Sequence, residues 1–168
     1  MREGLHEHLR RLERVWARHP VYFVTTRARQ GRPLLTLPSI AEILLEEWQT
    51  ARDRHGWLIG RYVIMPDHVH FFAAPIQPEA NLSDFMKRWK EWTSKRIRKM
   101  AEGSNADSGG EPVGVWQREF FDHLLRSRES YAQKWDYVWR NPVRQGLVPS
   151  PEQWPWQGEL FPLEVVPG

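Results

Sequence analysis

The chain has 168 residues, enough for one domain with its own core and short for two. Cysteine is absent, which excludes disulfides, thiolate zinc sites and cysteine nucleophiles, so any metal must rest on histidine, carboxylate or amide ligands. The net charge is only +3, but the sequence pI near 9.4 and the local crowding of lysine and arginine suit an anionic partner, while a mean hydropathy of -0.65 argues against a membrane span.

Residues 1–17 read as an amphipathic covering helix, with Leu5, Leu9, Leu12 and Trp16 at three- and four-residue spacings. This polar start is unlike a signal peptide, so a cytoplasmic location is expected. The β-branched and aromatic run 21–26 predicts a strand, ended by a polar turn over 27–32. Ile40, Ile43, Leu44, Glu47 and Trp48 predict a helix from Ser39, its N-cap, to about Arg54, with His55-Gly56 as the stop. Two apolar runs, 57–65 and 68–74, flank Pro66-Asp67 as an antiparallel hairpin.

A long helix is expected over 83–100, acidic at its start and basic at its end, as the helix dipole prefers. The Gly/Ser-rich segment 101–112 reads as a flexible loop. A strand around 116–125 and a helix over 128–140, stopped by Asn141-Pro142, follow. The proline-rich tail over 149–168 should be irregular. This order of elements packs naturally as an α+β sandwich around an antiparallel sheet, one domain over 1–168 without internal repeats.

His68-Val69-His70 lies in a strand pattern, where alternation puts both imidazoles on one face and Val69 on the other. Two neutral imidazoles on one rigid face form a chelate; the plain alternative is a pair of buried histidines satisfied by carbonyls. His6-Glu7-His8 has the same spacing in a helical pattern, where the rings diverge, and no function is assigned to it. Tyr137 and Asn141 stand four apart at the end of the last helix, so a phenol and a neutral amide can share one site.

Four segments carry a family resemblance: MPDHVHF at 65–71, VWQREFFDHL at 115–124, DYVWRNPVRQGLV at 136–148 and WPW at 154–156. Together and in this order they resemble the HUH superfamily, specifically the REP-associated tyrosine transposases and their single-tyrosine insertion-sequence relatives. The resemblance implies a ferredoxin-like sandwich with the HUH nuclease fold. It implies His68, His70 and Asn141 as ligands of a divalent metal, Mg2+ or Mn2+, and Tyr137 as the nucleophile that forms a 5'-phosphotyrosine on single-stranded DNA beside a hairpin, as in repetitive palindromic elements.

Arg88, Lys90 and Lys95 on the long basic helix are expected phosphate contacts, the plain alternative being a solvated helix face, and Trp89, Trp92 or Trp139 could stack on bases, the alternative for most tryptophans being the core. Trp116, Arg118 and His123 match a recurrent segment whose role the residues do not reveal, with His123 read as structural. The chain is expected to act as a monomer or a homodimer. Two rival readings remain: a non-catalytic nucleic-acid-binding module on a ferredoxin-like sheet, and a metal phosphoesterase that activates water.

Overall fold

The computed structural model describes residues 20–102 and 114–165. The expected helix at 1–17, with its His6 and His8, and the loop from residue 103 onward lie outside them. Strand β1 is Val21–Arg27, helix α1 Pro38–Gln49 and helix α2 Ala51–His55. Strands β2 (Trp57–Ile64) and β3 (His68–Pro75) form the hairpin, and helix α3 is Leu82–Glu102. Strand β4 (Phe121–Leu125), helices α4 (Arg128–Trp139) and α5 (Asn141–Arg144) and strand β5 (Gln157–Glu159) complete the chain.

The five strands make one antiparallel sheet in the order β4-β1-β3-β2-β5. The βαββαβ order of the first four strands, with β1 and β3 central, is the ferredoxin-like arrangement. Both sheet faces are covered, which explains why β2 and β3 read as almost unbroken apolar runs rather than alternating ones.

On one face, Val24, Ile59, Ile64, Val69 and Phe71 meet Ile40, Leu44 and Trp48 of α1 and Phe85, Met86, Trp89 and Ile97 of α3. Each helical set recurs every three or four residues, so each helix presents a single stripe to the sheet. Trp48 and Trp89 stack at 5.6 Å, and Trp116 continues the stack at 4.9 Å from Trp89 while its indole N–H donates to Thr93 Oγ1 at 2.9 Å. Trp89 is therefore core, with no exposed surface for a base, whereas Trp92 keeps 43% of its surface exposed. Glu47 is buried within the α1 stripe, and its Oε1 accepts from Arg96 of α3 at 3.1 Å. On the other face, Phe23, Leu58, Val63, Phe72 and Leu125 pack against Tyr131 and Val138 of α4.

Four local expectations change. Helix α1 starts at Pro38 with Leu37 as its cap, because proline at the first position pre-sets the helical backbone; Ser39 lies inside the helix and caps nothing. Helix α3, expected over 83–100, runs from Leu82 to Glu102, and Asn81 Oδ1 accepts from the Asp84 N–H at 3.2 Å at its start. The strand expected over 116–125 is an isolated bridge at Trp116 and a separate strand β4, since Gln117, Arg118 and Glu119 turn their carbonyls toward Lys90. The tail is not wholly irregular: β5 pairs with β2, and the indole N–H of Trp154 donates to Ile64 O at 2.9 Å. A glycine on β2 admits this tail, because a Cβ on Gly60 would stand 2.8 Å from Leu163 Cδ1 and 3.2 Å from Phe161 O.

Candidate active site

The β2–β3 turn is pinned by backbone groups from outside the hairpin. Ala28 N donates to Asp67 O at 2.8 Å and Leu35 N to Pro66 O at 3.0 Å, so His68 starts β3 from an anchored position. Strand alternation then puts His68 and His70 on the α4 face, their ring centroids 4.7 Å apart. The sheet register sets Thr25 beside His70 and Arg27 beside His68.

Each imidazole has its Nδ1 engaged. Asp67 Oδ1 lies 2.7 Å from His68 Nδ1, and Thr25 Oγ1 lies 2.8 Å from His70 Nδ1. A carboxylate can only accept, so the His68 proton sits on Nδ1 and its Nε2 presents a lone pair. Asn141 Nδ2 stands 3.3 Å from His68 Nε2 and 3.3 Å from His70 Nε2, donating to both. This orientation of Nε2 lone pairs by partners on Nδ1 is what metal-binding histidines require. Rotating the Asn141 amide by half a turn would present its carbonyl oxygen at the same point, giving a His, His, Asn donor set.

Burial keeps both rings neutral. It pushes the His70 imidazole down to about 3, helped by His68, Arg27, Arg144 and Lys134, and Phe23 stacks on the ring at 5.5 Å. Burial also lowers His68, outweighing the opposite pull of Asp67. Neutral imidazoles are the metal-competent form.

Asn141 comes from the far end of α4. Arg140 keeps right-handed helical angles between α4 and α5, with its N–H on Asp136 O and its carbonyl accepting from Arg144 N. The expected stop at Asn141-Pro142 is thus a near-continuous passage into a second short helix, and Pro142 fits because the first turn of a helix requires no donor from it. Tyr137 therefore keeps its place one turn before Asn141. Its ring is 63% exposed, with the Arg144 guanidinium lying over it at 3.8 Å from the centroid.

The structure thus brings together His68, His70 and Asn141, from two segments about 70 residues apart, and leaves Tyr137 exposed one helical turn before Asn141. It does not bring Arg88, Lys90 and Lys95 to them: α3 covers the opposite sheet face. Arg88 and Lys95 are exposed there, whereas the Lys90 ammonium donates to the carbonyls of Gln117, Arg118 and Glu119 at 2.7, 3.2 and 3.1 Å. Desolvation in this clasp pulls Lys90 down to about 8. A cleft of about 350 Å³ between α3 and residues 114–120 is lined by Lys90, Gln117 and Arg118, on the layer opposite the imidazoles.

Three cations that sequence reasoning missed do face the site: Arg27, Lys134 and Arg144, each of which acts electrostatically on His70. A signal for two of them was present. Positions 134, 137, 141 and 144 are spaced three, four and three apart, a single helical stripe of lysine, tyrosine, asparagine and arginine. His123 is exposed on β4 beside Phe23, and Trp116 belongs to the core stack.

Known proteins resemble this chain in sequence and in fold. The IS200-like transposase family (Y1_Tnp) matches residues 17–138. An Escherichia coli protein described as a REP-associated tyrosine transposase is 27% identical over 143 residues, covering 85% of this chain and 78% of its own. A Haemophilus influenzae protein provisionally given the same name is 29% identical over 107 residues, of which the chain spans 61% of the relative's length. Among solved structures, a REP-associated tyrosine transposase bound to a REP hairpin superposes with a TM-score of 0.65 at 22% identity, covering 83% of this chain and 76% of the other.

Proposed function

The chain belongs to the IS200-like transposase family, and on that premise we propose that it cuts and rejoins single-stranded DNA beside a hairpin, with Tyr137 as the nucleophile. The observation that carries this reading is the convergence of His68 Nε2, His70 Nε2 and the Asn141 amide, 3.3 Å apart, one helical turn from an exposed tyrosine. His68, His70 and Asn141 would hold a divalent cation, for which the family resemblance favours Mg2+ or Mn2+ although imidazoles also suit zinc and nickel, and which when bound would polarise the non-bridging oxygens of a phosphate.

The protein's own groups supply the rest. Arg27, Lys134 and Arg144 surround the site with positive charge and draw the DNA backbone toward it. Arg144, stacked on the Tyr137 ring, holds the side chain in place. The Tyr137 oxygen attacks phosphorus, the bond from phosphorus to the 3' oxygen breaks, and that oxygen leaves as a 3'-hydroxyl after taking a proton. The product is a 5'-phosphotyrosine, and attack on it by another 3'-hydroxyl rejoins the strands without an external energy source.

The hairpin is proposed because one similar structure carries a REP hairpin. Arg88 and Lys95, exposed on the opposite layer, would hold flanking phosphates as a monomer or homodimer acts on DNA in the cytoplasm. Among the described residues no helix is long and apolar enough to cross a membrane.

The test is a denaturing gel of labelled hairpin DNA with an unpaired flank, incubated with the protein and Mn2+. A covalent protein–DNA band is expected for the wild type and none for Tyr137→Phe. Binding without a band across many hairpins would instead support a non-catalytic nucleic-acid module; hydrolysis that survives Tyr137→Phe would indicate water as the nucleophile.

A further inference from the structure

The segment VWQREFFDHL, singled out by its sequence, contributes nothing to the histidine cluster itself, yet part of it faces the same side of the sheet. In β4, Phe121 is registered on Thr25, and Thr25 on His70. Directly opposed residues point to the same face, so Phe121, Thr25 and His70 stand in one row. At strand spacings of about 4.8 Å, Phe121 lies roughly 10 Å from His70 across the sheet. His123 follows on the same face, registered on Phe23.

Helix α4 covers the other half of this face, where Tyr131 and Trp135 pack on Phe72 at 4.6 and 6.2 Å. Phe121 and His123 are left exposed at the edge, Phe121 by 60%. A single exposed apolar ring is common on protein surfaces, so its neighbours decide what it can bind. Its surroundings are not those of a protein-binding patch, because its chain neighbours Glu119 and Asp122 and its same-face neighbour His123 are polar or charged and exposed. Beside it, Lys134 sits over Phe23 at 5.1 Å, and Arg27 flanks His68. An isolated aromatic face beside fixed cations is the composition that grips a single strand, the cations taking phosphates and the ring a base.

We infer that Phe121 is a stacking platform for one unpaired nucleobase of the strand whose phosphate lies at the histidine pair. This rests on the strand-cleavage reading for its ligand, but it adds a site on β4 that the cleavage chemistry does not require. It makes edge strand β4 the wall of a trough whose floor is Thr25 and whose far side is α4. Stacking tolerates any base, so the site sets how the strand is threaded rather than which sequence is read.

The experiment is fluorescence anisotropy of a labelled hairpin oligonucleotide with an unpaired flank, in Mn2+, with one abasic nucleotide moved stepwise along that flank. Wild type, Phe121→Ala and Phe121→Trp are compared, and adduct formation by the wild type is scored in parallel. Phe121→Ala is expected to raise Kd by about 5- to 100-fold on intact DNA, as loss of one base–aromatic stack does, and Phe121→Trp to restore it. At one position the abasic nucleotide should weaken the wild type to the same degree while leaving Phe121→Ala unaffected. Equal affinities of all three proteins, or abasic losses that are the same in wild type and Phe121→Ala at every position, would overturn the proposal. A wild type that forms no adduct but shows the coupled loss keeps the stacking site and removes only the cleavage chemistry.

Discussion

His68 and His70 act as a pair because their Nδ1 atoms are already engaged, by Asp67 and Thr25, leaving both Nε2 atoms to converge on Asn141. Keeping His70 neutral has a cost at low pH. The unfolded imidazole titrates at 6.5 and the folded one at about 3, so between these values the unfolded chain binds more protons. Stability from this group is therefore complete above about pH 6.5 and is lost as pH falls toward 3. In metal-free protein the urea midpoint should drop from pH 7 to pH 5, and His70→Asn should drop less, the difference approaching about 1 kcal/mol per pH unit. His55 and His68 are shifted in the same direction, so some pH dependence remains in the variant. Identical pH slopes for the two proteins would mean that His70 is not held neutral by burial.

Helix α4 is the element on which the site depends, since it carries Lys134, Tyr137 and, through Arg140, Asn141. Its start is secured locally: Ser127 Oγ accepts from Ser130 N at 3.0 Å, and Ser130 Oγ accepts from Ser127 N at 3.2 Å. This is a capping box with serine in the position that glutamate or glutamine commonly takes. Few α4 side chains are buried among the described residues, Tyr131 and Val138 being the main ones, so the cap is a sizeable share of what holds the helix. Ser127→Ala should lower stability by about 1 kcal/mol in urea denaturation. Ser127→Asp should retain most of it, because an aspartate side chain also accepts at this position; equal loss in both variants would assign the effect to something other than the cap.

For the molecule as a whole, the C-terminal segment closes one side of the sheet. Strand β5 covers the β2 edge, Ile64 N donates to Trp156 O at 2.8 Å, Leu160 N to Gly60 O at 3.0 Å, and Leu163 and Val165 join the α4-side core. Removing residues from 154 onward would leave β2 as a bare edge beside an open apolar core. The truncated chain should lose at least about 4 kcal/mol, from the burial of Leu163, Val165 and their neighbours, and should aggregate through the exposed strand. Urea denaturation with light scattering reads both effects; a truncated chain that melts like the full one and stays monodisperse would make the tail dispensable.

Much of this protein was legible from local periodicity. The stripe Ile40, Ile43, Leu44, Glu47 and Trp48 is buried as a helix, and the two apolar runs around Pro66-Asp67 form the hairpin. The side-by-side histidines and the one-turn relation of Tyr137 to Asn141 follow from repeats of two and 3.6 residues, which the chain sets without reference to distant neighbours. What lay beyond local pattern was the choice of neighbours. Lysines on a helix look alike in sequence, yet Lys134 reaches the histidine face while Lys90 is bound to three carbonyls on the opposite layer. Proline spacing hides β5, because a three-residue strand has too little pattern of its own and exists only where β2 offers an unpaired edge. Periodicity assigns a residue to a face of its own element; which other face it meets, and which charges gather there, is decided only when the sheet assembles and long-range packing selects the partners.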